Sequence, residues 1–402
     1  MLNPKNPAAA WMLPFEGAWT TSVALLGSHR RVAAGDRQGR LLVWDLPEEP
    51  VSKTVRDDKG KDRQEIEAPP PALQLVGHTG GITHLIAIDG GKRLISASLD
   101  HTIRIWDLDA PPSGETELVL DDDTRTRRAR YKSEQEKKAI LEAPGVKVKT
   151  LTQCEVLAGH GDWIKALGIS RDQKRLISGD DRGLSIVWDL PARKEIARWS
   201  GYPGNWVSSA ALSPDGQTAF VAEYCMRRGD FDRPPAQAKI YNAGDGKLKV
   251  DLLVVRFPKV KNRDNSYGYA TTWGKFVGQG FVAADFSPDG KLLAVGKGGE
   301  SGDGKVHLID PATGKLVRTI GGHKYGTTDV AFSADGRHVL SSGRDTLVRV
   351  MQTADGKEVA TIGKTRGGQF TDWIHAFSLS PDERWLATAD ISGLVRMWRF
   401  GA

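Results

Sequence analysis

Short runs of alternating apolar and polar residues, each broken by a compact turn, recur along the chain. Ala284-Asp285-Phe286 leads into Ser287-Pro288-Asp289-Gly290, and Leu292-Leu293-Ala294-Val295 follows. Period-two alternation of this kind is the pattern of strands with one or both faces buried. Related turns stand at Ser213-Pro214-Asp215-Gly216, Ser333-Ala334-Asp335-Gly336 and Ser380-Pro381-Asp382-Glu383. Pro presets one backbone angle, Asp bonds back to its own backbone and Gly accepts positive φ, so the chain reverses at little cost. Each turn therefore predicts one hairpin.

The hairpins belong to a longer unit. Trp44-Asp45, Trp106-Asp107 and Trp188-Asp189 each close a segment of the same grammar, and two segments open on Gly77-His78 and Gly159-His160. This resembles the WD40 repeat, which runs from Gly-His to Trp-Asp over about 40 to 45 residues. The resemblance implies an all-β chain folded as a single seven-bladed WD40-type β-propeller. Its third strands would end near Trp44, Trp106, Trp188, Tyr241, Ile309, Met351 and Trp398. The expected blades are 18–76, 77–158, 159–203, 204–279, 280–321, 322–369 and 370–402, with insertions at 47–70, 109–149, 225–237, 252–279 and 297–304. The last unit stops after its third strand at Trp398-Arg399-Phe400, while Ala10 to Phe15 reads as an orphan outer strand. A strand over 9–16 is expected to complete blade 7, close the ring and remove its open edge.

The family's buried polar network supplies a set of structural expectations. In such units a loop His, a Ser or Thr, an Asp and the Trp of the third strand form a hydrogen-bonded tetrad. By position blade 2 matches with His78, Ser96 or Ser98, Asp100 and Trp106. Buried polar groups must be satisfied, so such a chain locks the turns of a blade together. Blades 1, 3 and 7 place Asp two positions earlier, at Asp36, Asp180 and Asp390, which predicts different wiring. Blade 6 keeps His323 and Asp345 but has Met351 in place of Trp, and blades 4 and 5 lack both dipeptides.

Composition limits the functional classes. The 402 residues are 39% hydrophobic and include 45 glycines, enough for a large core with many turns. Two cysteines, Cys154 and Cys225, make neither a disulfide framework nor a zinc spacing. The first residues lack the cationic and apolar stretches of a secretory leader and no run of 18 apolar residues occurs, so a cytoplasmic protein without a membrane span is expected. A net charge of +6 permits anionic partners without requiring them.

The insertions carry the individuality of the chain. Residues 47–70 read as a flexible loop. Residues 109–149 include Thr124 to Ala143, where preceding acids, a Glu134–Lys138 pair and a Pro144-Gly145 stop suit a helix with few core residues. This helical insertion in blade 2 reads either as a solvated element or as a docking element, and deleting 115–145 is expected to leave the propeller folded. The family's geometry would put 225–237, 252–279 and 297–304 on the top face, around blades 4 and 5.

No phosphate loop, nucleophile elbow or paired metal-spaced His is present, so neither metal nor cofactor is expected. Asp162, Lys165, Asp372 and His375 make a conceivable catalytic quartet, although polar residues lining a wet channel need no chemistry to explain them. Aligned first strands place Trp19, Gly81, Trp163, Trp206, Gly280, Gly326 and Trp373 at one equivalent position, either packing between blades or forming a binding rim. Two residues later stand Thr21, Thr83, Lys165, Ser208, Val282, Thr328 and His375, expected by alternation to line the channel. Arg256, Lys259, Lys261 and Arg263, interleaved with Tyr267 and Trp273, would suit acidic peptides or single-stranded nucleic acid. The resulting expectation is a non-enzymatic, monomeric scaffold for a protein or peptide partner. A nucleic-acid or polyanion binder is the alternative, and a propeller enzyme comes last.

Overall fold

A computed structural model describes residues 2–5, 7–15, 19–27, 30–56, 62–119, 125–126, 129, 134–224, 236–252, 259–261, 267–269, 280–298, 303–363 and 373–401. Two compact units make up the chain. One comprises Asn6–Ser98, Ile103–Val156 and His375–Ala402, and the other Met1–Lys5, Leu99–Thr102 and Leu157–Ile374.

The first unit carries blades 7, 1 and 2. Blade 1 is built from Thr20–Leu25, Arg31–Asp36, Leu41–Asp45 and Leu73–Leu75, and blade 2 from Ile82–Ile88, Arg93–Ser98, Thr102–Asp107 and Glu155–Ala158. Blade 7 has Ile374–Leu379, Trp385–Asp390 and Leu394–Arg399, and its outer strand is Ala8–Pro14. That strand pairs antiparallel with Leu394–Arg399, matching Ala8 to Arg399 and Leu13 to Val395. Trp11 and Leu13 are buried, and so is Phe15 just beyond the strand. Trp11 packs 5.4 Å from Trp385 and Phe15 lies 5.9 Å from Trp44, so the N-terminal segment contributes to the shared core of blades 7 and 1.

The second unit holds four further four-stranded antiparallel sheets. Their first strands are Ile164–Ile169, Trp206–Leu212, Phe281–Phe286 and Thr327–Phe332, and their outer strands Lys194–Ser200, Leu248–Asp251, Leu316–Lys324 and Glu358–Gly363. The first hairpin of each closes by one device. The Ser213 hydroxyl donates to Asp215 and accepts the backbone N–H of Thr218 at 2.9 Å, and Ser287 and Ser333 repeat the pattern, as does Ser380 in blade 7. Ser170 does the same with Asp172 and Arg175, although that turn has neither Pro nor Gly and holds Gln173 at φ 59°.

Two insertions differ from their sequence reading. Within 47–70, Ser52–Arg56 and Asp62–Ile66 form an antiparallel hairpin where a loop was expected. Within 109–149, Gly114–Leu118 and Val146–Leu151 form an antiparallel ribbon, and Val146–Leu151 runs parallel to Leu73–Leu75, so the blade 1 sheet has six strands. Between them the described residues include a helix at Glu134–Leu141, and Arg125, Thr126 and Ala129 within the expected Thr124 to Ala143 stretch are also helical. Leu118 and Val148 join the core that holds Trp11, Phe15 and Leu46. The charged residues alternate outward, with Glu115 opposite Lys149 and Glu117 opposite Lys147, which hid the apolar face of two short strands. The expectation that 115–145 is dispensable is therefore revised. Deleting it should cost about 2–5 kcal/mol, the range for losing a buried Leu, measurable by urea denaturation; an unchanged midpoint would show that the ribbon adds nothing.

Candidate functional site

The buried polar networks come first, because they decide which polar residues remain for function. In blade 2 the tetrad Ser is Ser96: its hydroxyl lies 2.7 Å from His78 Nε2 and accepts from Trp106 Nε1 at 2.8 Å. Ser98 instead donates to the Gly80 carbonyl, and Asp100 accepts from Thr102. In blade 3, His160 reaches Asp180 at 2.9 Å and Ser178 at 2.6 Å, while Trp188 Nε1 donates to Ser178 at 2.8 Å. The earlier Asp is thus compatible with a full network, because Asp180 Oδ1 also accepts the N–H groups of Arg182 and Leu184 and so closes the following turn. Blade 6 joins His323 to Asp345 and Ser341, each at 2.8 Å, with Met351 where Trp would stand. Burial pushes the Asp180 and Asp345 carboxyls up, but the His bonds and backbone N–H groups outweigh it and hold both below the ordinary value. Blades 3 and 6 therefore contain a Ser–His–Asp arrangement, yet Ser178 and Ser341 are fully buried and out of reach of any substrate.

Most of the polar residues expected to line the channel are occupied too, while Val282 is 37% exposed. Thr21, Thr83, Lys165, Ser208, Val282 and Thr328 are each the extra residue of a β-bulge in the first hairpin of their blade. A bulge re-aims its side chain. Thr21 consequently donates to the Ile82 carbonyl, Ser208 to that of Phe281 at 2.7 Å and Thr328 to that of Ile374 at 2.6 Å, each in the next blade. Three residues further on, Asp285 accepts the N–H of Phe332 at 2.7 Å and Ser378 that of Leu25 at 3.0 Å. Burial pushes the Asp285 carboxyl up to about 6 even though the N–H groups of Phe332 and Phe286 oppose it. These polar groups stitch adjacent blades together.

The Trp position lies differently. Trp19 and Trp163 accept the N–H of Arg37 and Asp181 at 3.0 Å each, and Gly280 and Gly326 accept those of Gly298 and Arg344 at 3.2 and 3.1 Å, so the equivalence read from sequence is one of backbone register. Trp163 is 46% exposed and Trp19 39%, whereas Trp11, Trp44, Trp106 and Trp188 are buried. Cations cover these rings. Arg37 sits 5.2 Å from the Trp19 centroid and Arg344 4.5 Å from that of Trp373. The Lys165 ammonium lies 5.4 Å from Trp163 and 5.7 Å from Trp206, and Trp206 meets Tyr224 edge-on at 5.3 Å. Lys165 also pairs with Asp181 at 2.9 Å and Arg182 with Asp162 at 3.0 Å.

For the other candidates the outcome is mixed. Asp162 and Lys165 are tied into those ion pairs, His375 lies half-buried in Ile374–Leu379, and Asp372 falls outside the described residues. Arg256, Arg263 and Trp273 also fall outside them, while Lys259, Lys261 and Tyr267 belong to a two-stranded ribbon, Lys259–Lys261 with Tyr267–Tyr269. Among the described residues no group of three His, Cys, Asp or Glu could hold a metal ion, and no helix is long and apolar enough to cross a membrane.

Comparison with known proteins gives a consistent result. Residues 70–107, 151–189, 273–310, 314–351 and 359–399 each match the family model described as WD domain, G-beta repeat. The chain is 31% identical to Autophagy-related protein 16 of Arabidopsis thaliana over 24% of its own length and 19% of that protein's. It is 23% identical to the small ribosomal subunit protein RACK1 of Caenorhabditis elegans, over 57% of this chain and 66% of the relative. With the Retinoblastoma-binding protein 5 homolog of Drosophila melanogaster it shares 21% identity over 73% of this chain and 52% of the relative. The chain thus spans between about a fifth and two thirds of these curated relatives.

Proposed function

Because this chain belongs to the WD40 repeat family and is an all-β, seven-bladed propeller, we propose that it serves as a monomeric, cytoplasmic, non-enzymatic scaffold that binds protein partners at the tryptophan positions opening its blades. The observation that carries this reading is the contrast among the tryptophans. Trp163 and Trp19 keep 46% and 39% of their surface in water, each under a cation, in a chain that buries Trp44 and Trp106 completely. Large aromatic side chains held in place beside charged groups are the anatomy of interface hot spots. The ion pairs Lys165–Asp181 and Arg182–Asp162 flank Trp163 with balanced charge. A continuous basic track, which nucleic acid would need, is not what those pairs make.

Two relatives, a ribosomal subunit protein and a retinoblastoma-binding protein homolog, are by their names proteins that work in contact with others. The non-enzymatic part of the proposal is supported by the burial of Ser178 and Ser341 in their networks. Affinity purification from a lysate, with nuclease and at two salt concentrations, tests the proposal. Partners recovered by the wild type should be lost with Trp19→Ala and Trp163→Ala at unchanged melting temperature. Full recovery by both variants would place the interface elsewhere.

A further inference from the structure

We infer that Arg37, lying over Trp19, is a recognition point for the carboxylate of an acidic peptide segment, which names the partner chemistry of the proposed interaction surface and rests on that proposal. The argument begins at the turn Asp36-Arg37-Gln38-Gly39-Arg40. Asp36 is buried, and its Oδ1 accepts the N–H groups of Gln38 at 2.9 Å and Arg40 at 2.8 Å. The N–H of Arg37 donates to the Trp19 carbonyl at 3.0 Å. On the far side, Gly81 lies against the turn so closely that a Cβ there would come within 2.5 Å of the Arg37 carbonyl oxygen. The backbone of Arg37 is thereby held from three directions, and only its side chain is left to choose a direction.

That side chain lies over the indole of Trp19, its guanidinium carbon 5.2 Å from the ring centroid, and both residues are exposed. A guanidinium over an aromatic face keeps its N–H edges pointing outward in the plane of the fork, the geometry that takes a carboxylate with two parallel hydrogen bonds. The contact with the ring also removes part of the rotamer freedom that binding would otherwise have to freeze.

Comparison with blade 3 shows why this cation is different. There the residue equivalent to Arg37 is Asp181, which neutralises Lys165 at 2.9 Å. In blade 1 the position of Lys165 is taken by Thr21, whose hydroxyl is used on the Ile82 carbonyl. Among the described residues no carboxylate forms an ion pair with Arg37. An exposed cation held over an exposed aromatic, with no ion-pair partner among the described residues, is complementary to an anion next to an apolar group. A glutamate or aspartate flanked by an aliphatic or aromatic residue, which would lie on the open part of Trp19, meets both requirements.

The probe for this inference is a fluorescein-labelled peptide of alternating Leu and Glu, compared with its Leu/Gln counterpart and with labelled oligo-dT, read by anisotropy against the full chain. The Leu/Glu peptide should bind more tightly than either control. Its affinity should fall about tenfold or more with Arg37→Gln, since a charge-assisted bond is lost, and should be only partly restored by Arg37→Lys, which keeps the charge without the fork. Trp19→Phe should weaken binding less than Trp19→Ala. Equal binding of the Gln peptide, preference for oligo-dT, or an unchanged affinity in Arg37→Gln would each overturn the assignment. If the lysate partners are lost in the Trp variants yet retained in Arg37→Gln, the scaffold proposal stands and the carboxylate assignment alone fails.

Discussion

A chain lacking residues 1–16 is expected to aggregate, or to melt far below the intact protein. The strand Ala8–Pro14 covers the open edge of Leu394–Arg399, and its loss exposes a row of unpaired backbone groups ready to pair with other chains. It also takes Trp11, Leu13 and Phe15 out of the core they share with Trp44, Leu46 and Trp385. By the usual values for large buried side chains those three together stand for on the order of 10 kcal/mol, comparable with the whole stability of a folded domain. Trp11→Ala is the graded version: it empties the space 5.4 Å from Trp385 and should cost about 3–5 kcal/mol while leaving the strand pairing in place. Urea denaturation of the two proteins beside the wild type decides the matter. A truncated protein with the melting curve of the intact one would mean that blade 7 is complete without its N-terminal strand.

That strand was legible in the sequence, as were the hairpins, because both are local signals: an apolar alternation without a neighbour, and a Ser and Asp two residues apart that bond to each other. The turn at Ser170 escaped although it uses the same bond, since its Gln173 gives no hint of the positive φ it adopts. The ribbon of Gly114–Leu118 and Val146–Leu151 escaped for a different reason. Its sheet partner, Leu73–Leu75, lies some seventy residues earlier than Val146, and parallel pairing over that separation leaves no local trace. The full network of blade 3 was missed because residue spacing stood in for geometry: Asp180 and Asp345 follow their histidines by different intervals and still reach the same ring nitrogen. The tryptophan positions were found by register alone. What sequence could not supply was their cover, since Arg37 meets Trp19 only after a hairpin brings the two together. Nor could alternation foresee that Thr21, Ser208 and Thr328 sit in bulges that turn their hydroxyls toward the next blade.

Loss of His160 should be the most damaging single change outside the apolar core. His160→Ala leaves the Asp180 carboxylate and the Ser178 hydroxyl, both buried, without the group that joined them. Leaving a buried polar group without its partner costs about 1–3 kcal/mol, more for a charged one, and exceeds the effect of the surface change Arg182→Ala, which loses an exposed ion pair to Asp162. The network also fixes the acid limb of stability. Asp180 and Asp345 titrate below the ordinary carboxylate value when folded. Their contribution is therefore complete above the unfolded value, about 4, and is lost as pH falls through the depressed folded values. Asp285 acts in the opposite sense. Its folded value of about 6 means that the native chain keeps a proton the unfolded chain has already released, so stability declines as pH rises from about 4 to 6. Denaturation midpoints between pH 3 and 7 should thus show a gentler acid loss for His160→Ala than for the wild type. Asp285→Asn, whose amide oxygen can still accept the N–H of Phe332, should remove the decline between pH 4 and 6. Parallel profiles for all three proteins would mean that neither carboxylate differs between the folded and unfolded chain.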